Sequence, residues 1–354
     1  MKKTSIIIAS VFTANTSFAQ TLQEAISKTD NERYEAASAD FRTLIAKEAT
    51  KGDNYFYYGE NFFKKGDLDS ANMFFQKGAD INATYPLNYV GLGKVQWYKG
   101  KQAEAKTLFF KAATLGANKN AEVYRKTAEA YIYSENKNAD EAIKLLDNAI
   151  KLEPKNAENY LAKGDALLAR NPSDGGPAIK EYNKATELNP KSVKGILRQG
   201  KLYQGGRNYQ LALDKYKEAE NIDATYAPAY REKAELYHLA GQKNNAIESY
   251  KKYLELNNSA DARKRYAEFL FNNKQYAEAI TEIENIQKQG NDNLYLNRYL
   301  GHSYAELGDK TDKEAYNKGL IAINKFFDKA IAFSISSTPK LSLPVRASKM
   351  PLYL

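Results

Sequence analysis

Histidine and cysteine are the side chains that most often carry acid–base, nucleophilic or metal chemistry, and this chain has two histidines and no cysteine. His238 and His302 lie far apart in the sequence, so a shared metal site or a proton relay between them is not indicated. The absence of cysteine excludes a thiolate nucleophile, a thiolate metal site and a disulfide framework. The sequence predicts no metal site and no cofactor.

Other catalytic patterns are also missing. The glycine pairs Gly175-Gly176 and Gly205-Gly206 lack the preceding strand and the following Lys-Ser/Thr that a phosphate-binding loop requires, which indicates turns between helices. There is no HExxH or GxSxG motif. Carboxylates are plentiful but show only helix-face spacing, for example Glu129, Asp165, Glu235 and Glu268. A paired acid–base site needs two carboxylates held in one cleft, so we predict that the chain is not an enzyme.

The N-terminus has the three parts of a secretory signal peptide. Met1-Lys2-Lys3 is basic, Ile6 to Phe12 is apolar, and Ser17-Phe18-Ala19 ends the stretch with small residues. The apolar run is too short for a durable membrane span. We expect residues 1–19 to be removed and the mature chain, from about Gln20, to be exported to a bacterial periplasm or to the outer membrane, with no transmembrane segment left.

The formal net charge is +9, of which Lys2 and Lys3 belong to the signal peptide. A basic balance favours nucleic acid, anionic surfaces or acidic partners. Export makes nucleic acid the poorest of these. Lys and Glu are also spread along the whole chain, which is typical of solvated helix faces. The charge pattern therefore predicts a protein or peptide partner, with an acidic segment among the candidates, and no nucleic acid.

The residues from Val193 to Tyr226 form a unit whose pattern returns after 34 residues. Its landmarks are Ile196, Gly200, Tyr203, Ala212, Tyr216 and Ala219, and their counterparts are Tyr230, Ala234, Tyr237, Ala246, Tyr250 and Tyr253. This spacing of aromatic, small and alanine positions resembles the tetratricopeptide repeat. The resemblance implies an all-α fold, a right-handed superhelical solenoid of antiparallel helix pairs.

The repeats also divide the chain. We predict a degenerate capping repeat at residues 20–51, an array of about eight units at residues 52–323, and a C-terminal helix extension with an irregular tail at residues 324–354. Two units have a spacing of 36 residues, and their extra residues are expected in turns at Ser134 to Asp140 and at Asn171 to Pro177. Small residues such as Gly164 and Gly200 should let the partner helix approach closely.

The resemblance implies that the first helix of each pair lines a concave groove where a partner binds. The candidate groove residues are Lys94, Trp97, Tyr98, Arg125, Lys201, Arg231, Lys264 and Arg298. Two alternatives stay open. Trp97 could instead pack against the next helix, and three of the bases could pair with a glutamate four residues on, namely Glu129, Glu235 and Glu268.

The function that follows is a non-catalytic protein–protein interaction scaffold that binds a peptide or partner protein in the groove, in the periplasm or at the outer membrane. The alternative is a periplasmic sensory or regulatory module that binds a peptide or glycan and signals to a membrane partner. No downstream transmembrane or catalytic segment is visible in the sequence to support a self-contained sensor. Repeat folds carry many roles, so the residues outside the repeat pattern must identify the partner.

Overall fold

The computed structural model describes residues 21–288 and 294–307, together with the single positions 321 and 324. In this part of the chain the secondary structure is helical, with helices α1 to α17 and no strand. The predicted all-α array of helix pairs is confirmed. The predicted signal peptide lies outside the described residues, as does nearly all of the predicted tail.

The chain divides into two units, Met1–Asn257 and Asn258–Leu354. Unit 1 begins, in its described part, with α1 at residues 21–30. The other helices of unit 1 are α2 (Tyr34–Lys47), α3 (Gly52–Lys65), α4 (Leu68–Ile81), α5 (Pro86–Tyr98), α6 (Gln102–Leu115), α7 (Ala121–Ile132), α8 (Ala139–Leu152), α9 (Ala157–Arg170), α10 (Gly175–Leu188), α11 (Val193–Gly205), α12 (Tyr209–Ile222), α13 (Ala227–Leu239) and α14 (Lys243–Leu256). The described helices of unit 2 are α15 (Ala260–Asn272), α16 (Tyr276–Lys288) and α17 (Leu294–Leu307).

Local capping residues set where many helices begin and end. The side chains of Asp67, Asn120 and Ser192 accept a hydrogen bond from a backbone N–H in the first turn of α4, α7 and α11, which satisfies a group without an intrahelical partner. Gly66 ends α3 with φ of +91°, a left-handed conformation that glycine adopts at little cost. Short connections of this kind place successive helices antiparallel.

The core of unit 1 lies between the two helices of each pair and between neighbouring pairs. The alanines of the second helices are fully buried, as Ala71, Ala105 and Ala142 show. Four glycines of the first helices lie against an aromatic ring of their own partner helix, namely Gly59, Gly93, Gly164 and Gly200. A Cβ at Gly164 would be 2.2 Å from the Tyr182 ring. The predicted close approach at these glycines is therefore confirmed.

Replacing Gly164 with alanine is expected to lower the free energy of unfolding by up to about 2 kcal/mol. Overpacking costs about 1–3 kcal/mol, and the better helix propensity of alanine offsets roughly 1 kcal/mol of that. Gly176 in α10 is the matched control because a Cβ at this position would have no atom within 4 Å, so Gly176→Ala should be neutral or stabilising. Urea unfolding followed by circular dichroism measures both. Equal effects of the two substitutions would contradict the packing argument.

The two units with longer spacing differ from the others between their helices. Residues 133–138 connect α7 to α8 and residues 171–174 connect α9 to α10, compared with three residues between α11 and α12. The prediction that Gly175, Gly176 and Pro177 belong to the turn is wrong, because they form the first turn of α10. Proline is tolerated there because the first N–H groups of a helix have no intrahelical acceptor.

Unit 2 has a smaller core of its own. Ala267 of α15, Ile283 and Ile286 of α16, and Leu296 and Leu300 of α17 are buried together. Among the described residues of the whole chain, no helix has both the length and the apolar character needed to cross a membrane.

Candidate functional site

A cavity of about 680 Å³ lies within unit 1, and we call it the central cavity. Its walls come from α1, from Phe41 of α2, from the first helices α3, α5, α7, α9 and α11, and from the residues Gly66, Tyr133 and Tyr226 beside them. The second helices of the pairs, α4, α6, α8, α10, α12 and α14, contribute none of its lining residues. The cavity is thus formed by the surface on which the repeat pattern places its groove residues.

Charged side chains dominate this cavity. Six are basic and four are acidic, namely Lys64, Lys94, Arg125, Lys126, Lys194 and Arg198, with Asp30, Glu60, Glu129 and Glu158. Four aromatic side chains on the first helices or just after them add apolar surface, namely Tyr57, Phe63, Tyr98 and Tyr133. The result is a polar cavity with an excess of positive charge.

One wall is an ion-pair network between α3, α5 and α7. Glu60 accepts from Lys94 Nζ at 2.8 Å, and both side chains are almost fully buried, at 5% and 7% exposed. Lys126 lies 3.7 Å from Glu60 and 2.9 Å from Glu129. Burial opposes ionisation of Glu60, yet Lys94 and Lys126 hold its pKa below the ordinary value. This wall is therefore charged and internally compensated.

Arg125 extends the network along α7. Its guanidinium lies 3.2 Å from Glu129 and 3.2 Å from Glu122. Tyr57 of α3 donates from its hydroxyl to Glu122 at 2.7 Å. The buried Nε of Arg125 has no acceptor in the described part of the chain, so this arginine keeps one unused donor at the cavity wall.

The turn after α1 reaches across unit 1, and we call Asp30, Asn31 and Glu32 the α1–α2 tip. The Asp30 carboxylate lies 2.7 Å from Lys64 of α3 and 2.6 Å from Lys194 of α11. Although burial would raise the pKa of Asp30, these two lysines hold it far below its usual range. Residues that are distant in sequence thus meet at one carboxylate.

Glu32 makes the second long-range contact of the tip. Its carboxylate accepts from Arg231 of α13 at 3.0 Å and from the Tyr253 hydroxyl of α14 at 2.7 Å. Arg231 also lies 3.0 Å from Glu232 on its own helix. The α1–α2 tip therefore ties α1 to the last helix pair of unit 1.

Arg198 is held by a separate cluster on the cavity wall. Its Nε lies 2.8 Å from the Asp165 carboxylate of α9, and Tyr182 of α10 donates to the same carboxylate at 2.7 Å. Tyr133 also donates its hydroxyl to Asp165. Arg198 also donates to the Tyr133 hydroxyl at 3.3 Å. A guanidinium held by a carboxylate and a hydroxyl has little freedom to turn towards a ligand.

The structure brings three of the predicted groove residues together. Lys94, Tyr98 and Arg125 all line the central cavity. Lys201 is 55% exposed and lies 3.2 Å from Glu232 on the next first helix, while Arg231 binds the α1–α2 tip. Neither residue lines the cavity, and the repeat pattern did not predict the ion pairs that the two bases form.

Trp97 does not line the cavity. It is only 2% exposed in the core of unit 1, its indole N–H donates to the carbonyl of Asn136 at 2.8 Å, and its ring meets Tyr131 edge-on at 4.6 Å. The structure thus supports the alternative in which Trp97 packs against neighbouring elements, because the indole fills the space between α5 and the segment that follows α7.

The proposed pairs along one helix have mixed outcomes. Arg125 pairs with Glu129 as that alternative predicted. Arg231 instead pairs with Glu32 and Glu232, while Glu235 accepts from the Tyr250 hydroxyl at 3.3 Å. The sequence could not show this because Glu32 lies outside the repeat pattern.

The two remaining candidates lie in unit 2 and stay predictions. Lys264 is half-buried on α15. Arg298 is exposed on α17, with its guanidinium 5.6 Å from the Tyr299 ring centre.

Several cavity residues were not predicted as groove residues. Lys126 and Arg198 occupy the sixth position of their units, one residue after the groove position that was mapped, and Lys194 occupies the second position. The fifth and sixth positions of a unit point about 100° apart on the helix, yet Arg125 and Lys126 both line this wide cavity. Asp30 carried no positional signal because it precedes the recognisable units.

Because of the buried carboxylates, we expect the free energy of unfolding to fall at acidic pH. The pKa values of Asp30, Glu60 and Glu129 are lowered in the folded chain, so the unfolded chain binds protons on these groups at a higher pH. Their contribution is complete above about pH 5 and is lost as the pH falls through the unfolded values towards the folded ones. Urea unfolding between about pH 3 and 7 should show this loss. A stability that rises below about pH 4.5 would contradict it.

Because of the buried tyrosines, we also expect the free energy of unfolding to fall at alkaline pH. Burial raises the pKa of Tyr131 to about 12, so the stability from its neutral hydroxyl is complete below the ordinary value of 10.0 and is lost as the pH rises towards the folded value. The same series of unfolding measurements, extended to alkaline pH, tests this sign.

Two family models for the tetratricopeptide repeat match the sequence, at residues 127–193 and 227–259. No match was found among curated proteins. The fold is similar to the human IFIT1 dimer with PPP-AAAA, at 15% identity and a TM-score of 0.52, covering 85% of this chain and 69% of that one. It is also similar to the human IFIT1 dimer with m7Gppp-AAAA, at 15% identity and a TM-score of 0.53, covering 84% and 68%.

A further solved structure with the same kind of repeat is a tetratricopeptide repeat protein from Parabacteroides merdae, at 20% identity and a TM-score of 0.47, covering 71% of this chain and 98% of that one. At these identities the similarity concerns the fold alone. The two matched stretches, together with helix pairs of the same kind before and between them, show that the chain contains tetratricopeptide repeats.

Proposed function

We propose that the chain is a non-catalytic scaffold that binds an acidic segment of a partner protein at the central cavity of unit 1. Tetratricopeptide repeats are protein-interaction modules, which gives the class of function. The observation that carries the proposal is the cavity itself, which is lined by the first helices and by more basic than acidic side chains. A binding site of this size with converging polar groups suits a short stretch of polypeptide.

The charge balance favours a carboxylate-bearing peptide over a polyphosphate. The IFIT1 structures contain PPP-AAAA or m7Gppp-AAAA, whereas the central cavity here includes Asp30, Glu60, Glu129 and Glu158 among its lining residues. A ligand with several adjacent negative charges would be repelled by these carboxylates. Single carboxylates spaced along a peptide can contact Lys64 or Lys194 and avoid the acidic groups.

The protonation states in the cavity support a binding role rather than catalysis. Glu60 and Glu129 have lowered pKa values because buried bases outweigh the effect of burial, and burial keeps Tyr57 protonated by raising its pKa. A general acid or base works best with a pKa near the operating pH. These three groups are shifted away from neutrality.

The proposed location is the periplasm or the outer membrane. Its support is the basic and apolar start of the sequence, which is typical of a secretory signal peptide. An envelope protein with an exposed acidic stretch would then be the partner.

Affinity capture from an envelope fraction, combined with cross-linking mass spectrometry, tests the proposal. Tyr98 lines the cavity and is 47% exposed, so Tyr98→Glu should reduce capture by placing a negative charge where the acidic segment binds. Tyr209→Glu on α12, outside the cavity lining, is the matched control and should leave capture unchanged. Cross-links to α3, α5 and α7 are expected. Cross-links confined to the second helices would contradict the proposal.

A further inference from the structure

We propose that the α1–α2 tip is an internal ligand of the partner-binding surface, and that the partner replaces it with a segment carrying two carboxylates two residues apart. The inference rests on the proposed function and names the chemistry of the partner. In the free protein, Asp30 and Glu32 occupy two subsites of unit 1. The first is formed by two lysines of first helices, and the second by an arginine of a first helix and a tyrosine of a second helix.

The first subsite is formed by Lys64 and Lys194. Asp30 lies 2.7 Å and 2.6 Å from them, and both lysines also line the central cavity. The two lysine side chains are 40% and 31% exposed, whereas that of Asp30 is 12% exposed. The Asp30 carboxylate thus lies at the bottom of the subsite, while the two lysines are still exposed to solvent. A carboxylate from another chain can therefore approach the lysines.

The second subsite is formed by Arg231 and Tyr253. One oxygen of Glu32 accepts from the Arg231 guanidinium at 3.0 Å and the other from the Tyr253 hydroxyl at 2.7 Å. Donors from two helices converge on one carboxylate, which is a specific geometry rather than a diffuse surface attraction. Because Asp30 occupies the first subsite and Glu32 the second, the two subsites together recognise two acids with the spacing Asp-x-Glu.

The tip fits these subsites imperfectly. Glu32 has φ of +60°, a left-handed conformation that costs free energy for a residue with a side chain. The buried Nε of Arg231 and the buried Oδ1 of Asn31 have no hydrogen-bond partner in the described part of the chain. A partner segment without this backbone strain, and with a group that reaches Arg231 Nε, would bind the same cations better.

The remainder of α1 is anchored separately, so release of the tip leaves the fold intact. Ala25 is buried with Phe41 of α2 and Tyr58 of α3, and Thr29 donates to the side chain of Asn61 at 2.9 Å. None of these contacts involves the carboxylates of the tip. Displacement therefore requires movement of the turn rather than unfolding of α1.

The test uses a fluorescent synthetic peptide with the sequence of residues 27–34, SKTDNERY, and a second peptide with Asn and Gln in place of the two acids. Binding is measured to the full chain and to the D30N/E32Q variant. The variant has no carboxylate in either subsite, so it should bind the acidic peptide on the order of tenfold more tightly than the unaltered chain, because the internal ligand competes less strongly without its charges. The neutral peptide should bind neither protein.

Glu218→Gln provides the matched control, because Glu218 is an acid of α12 that pairs with Lys215 at 2.7 Å and does not line the cavity. It should leave peptide binding unchanged. A D30N/E32Q variant that keeps full helical content and binds the acidic peptide no better than the unaltered chain would overturn the inference.

Amide hydrogen exchange on the unaltered chain gives a second measurement that does not depend on the variant folding. Excess acidic peptide should speed exchange in residues 30–33 and leave that of α5 and α7 unchanged. No change in residues 30–33 would overturn the inference. If a partner is captured with cross-links to α3, α5 and α7 while this peptide neither binds nor alters exchange, the proposed function stands and the internal-ligand inference falls.

Discussion

Replacing Trp97 with alanine is expected to lower the free energy of unfolding by about 3–5 kcal/mol, the range for removing a large aromatic side chain from a core. The indole is almost completely buried, and it packs edge-on against Tyr131. The substitution also leaves the carbonyl of Asn136 without the N–H that now reaches it at 2.8 Å. The loss should be largest in the α5 and α7 pairs, since each repeat contacts mainly its neighbours.

Tyr98→Ala is the control for this prediction because the two residues are adjacent on α5 and only one is buried. Tyr98 is half exposed and meets Phe63 edge-on at 5.8 Å, so its removal should cost no more than about 1.5 kcal/mol. Amide hydrogen exchange of α5 and α7 measures both effects locally. If Trp97→Ala weakened partner capture while leaving exchange unchanged, Trp97 would be a contact residue and its assignment to the core would be wrong.

The repeat pattern predicted the fold because its residues act locally. Gly164 and Tyr182 are 18 positions apart, within one helix pair, and their contact depends only on the spacing that the sequence displays. The same holds for Ala142 and the other alanines of the second helices. A period of this kind specifies the packing of each unit and of its neighbour.

The central cavity was only partly predictable because its contacts join distant positions. Lys94 and Arg125 were found from their place in the repeat, but their carboxylate partners decide whether they are free to bind a ligand. Glu60 neutralises Lys94 from the preceding unit. Asp30 reaches Lys194 over more than a hundred residues of sequence. No local spacing encodes such a pair, because its two residues come from helices that are far apart in the sequence.

The basic residues of the cavity differ in how available they are to a partner. Lys94 and Arg125 belong to a buried network in which each base is paired with a glutamate, and a ligand that bound their charges would have to break those pairs. Lys64 and Lys194 are more exposed and share one carboxylate from the α1–α2 tip. The partner-binding energy is therefore expected at Lys64, Lys194 and Tyr98, with the network acting as a rigid support.

Breaking the Glu60–Lys94 pair is the second large effect. Glu60→Gln should lower the free energy of unfolding by about 3–5 kcal/mol, because removing one partner leaves the other charge buried and uncompensated. Lys126 also contacts the Glu60 carboxylate, at 3.7 Å, so both lysines would lose a negative partner that they share. Lys94→Met should be destabilising for the converse reason, since Glu60 would keep only the more distant lysine.

The double variant Glu60→Gln with Lys94→Met isolates the interaction energy between these two side chains from their interactions with other residues. Two neutral side chains of similar size remove both buried charges, so the double variant should be clearly more stable than the sum of the single effects implies, by about 1 kcal/mol or more. Lys215→Ala serves as the control, because Lys215 forms an exposed pair with Glu218 on α12 and should change stability by less than about 1 kcal/mol. Additive effects in the buried pair, measured by urea unfolding at neutral pH, would show that Glu60 and Lys94 are solvated separately and that the network does not support the cavity wall.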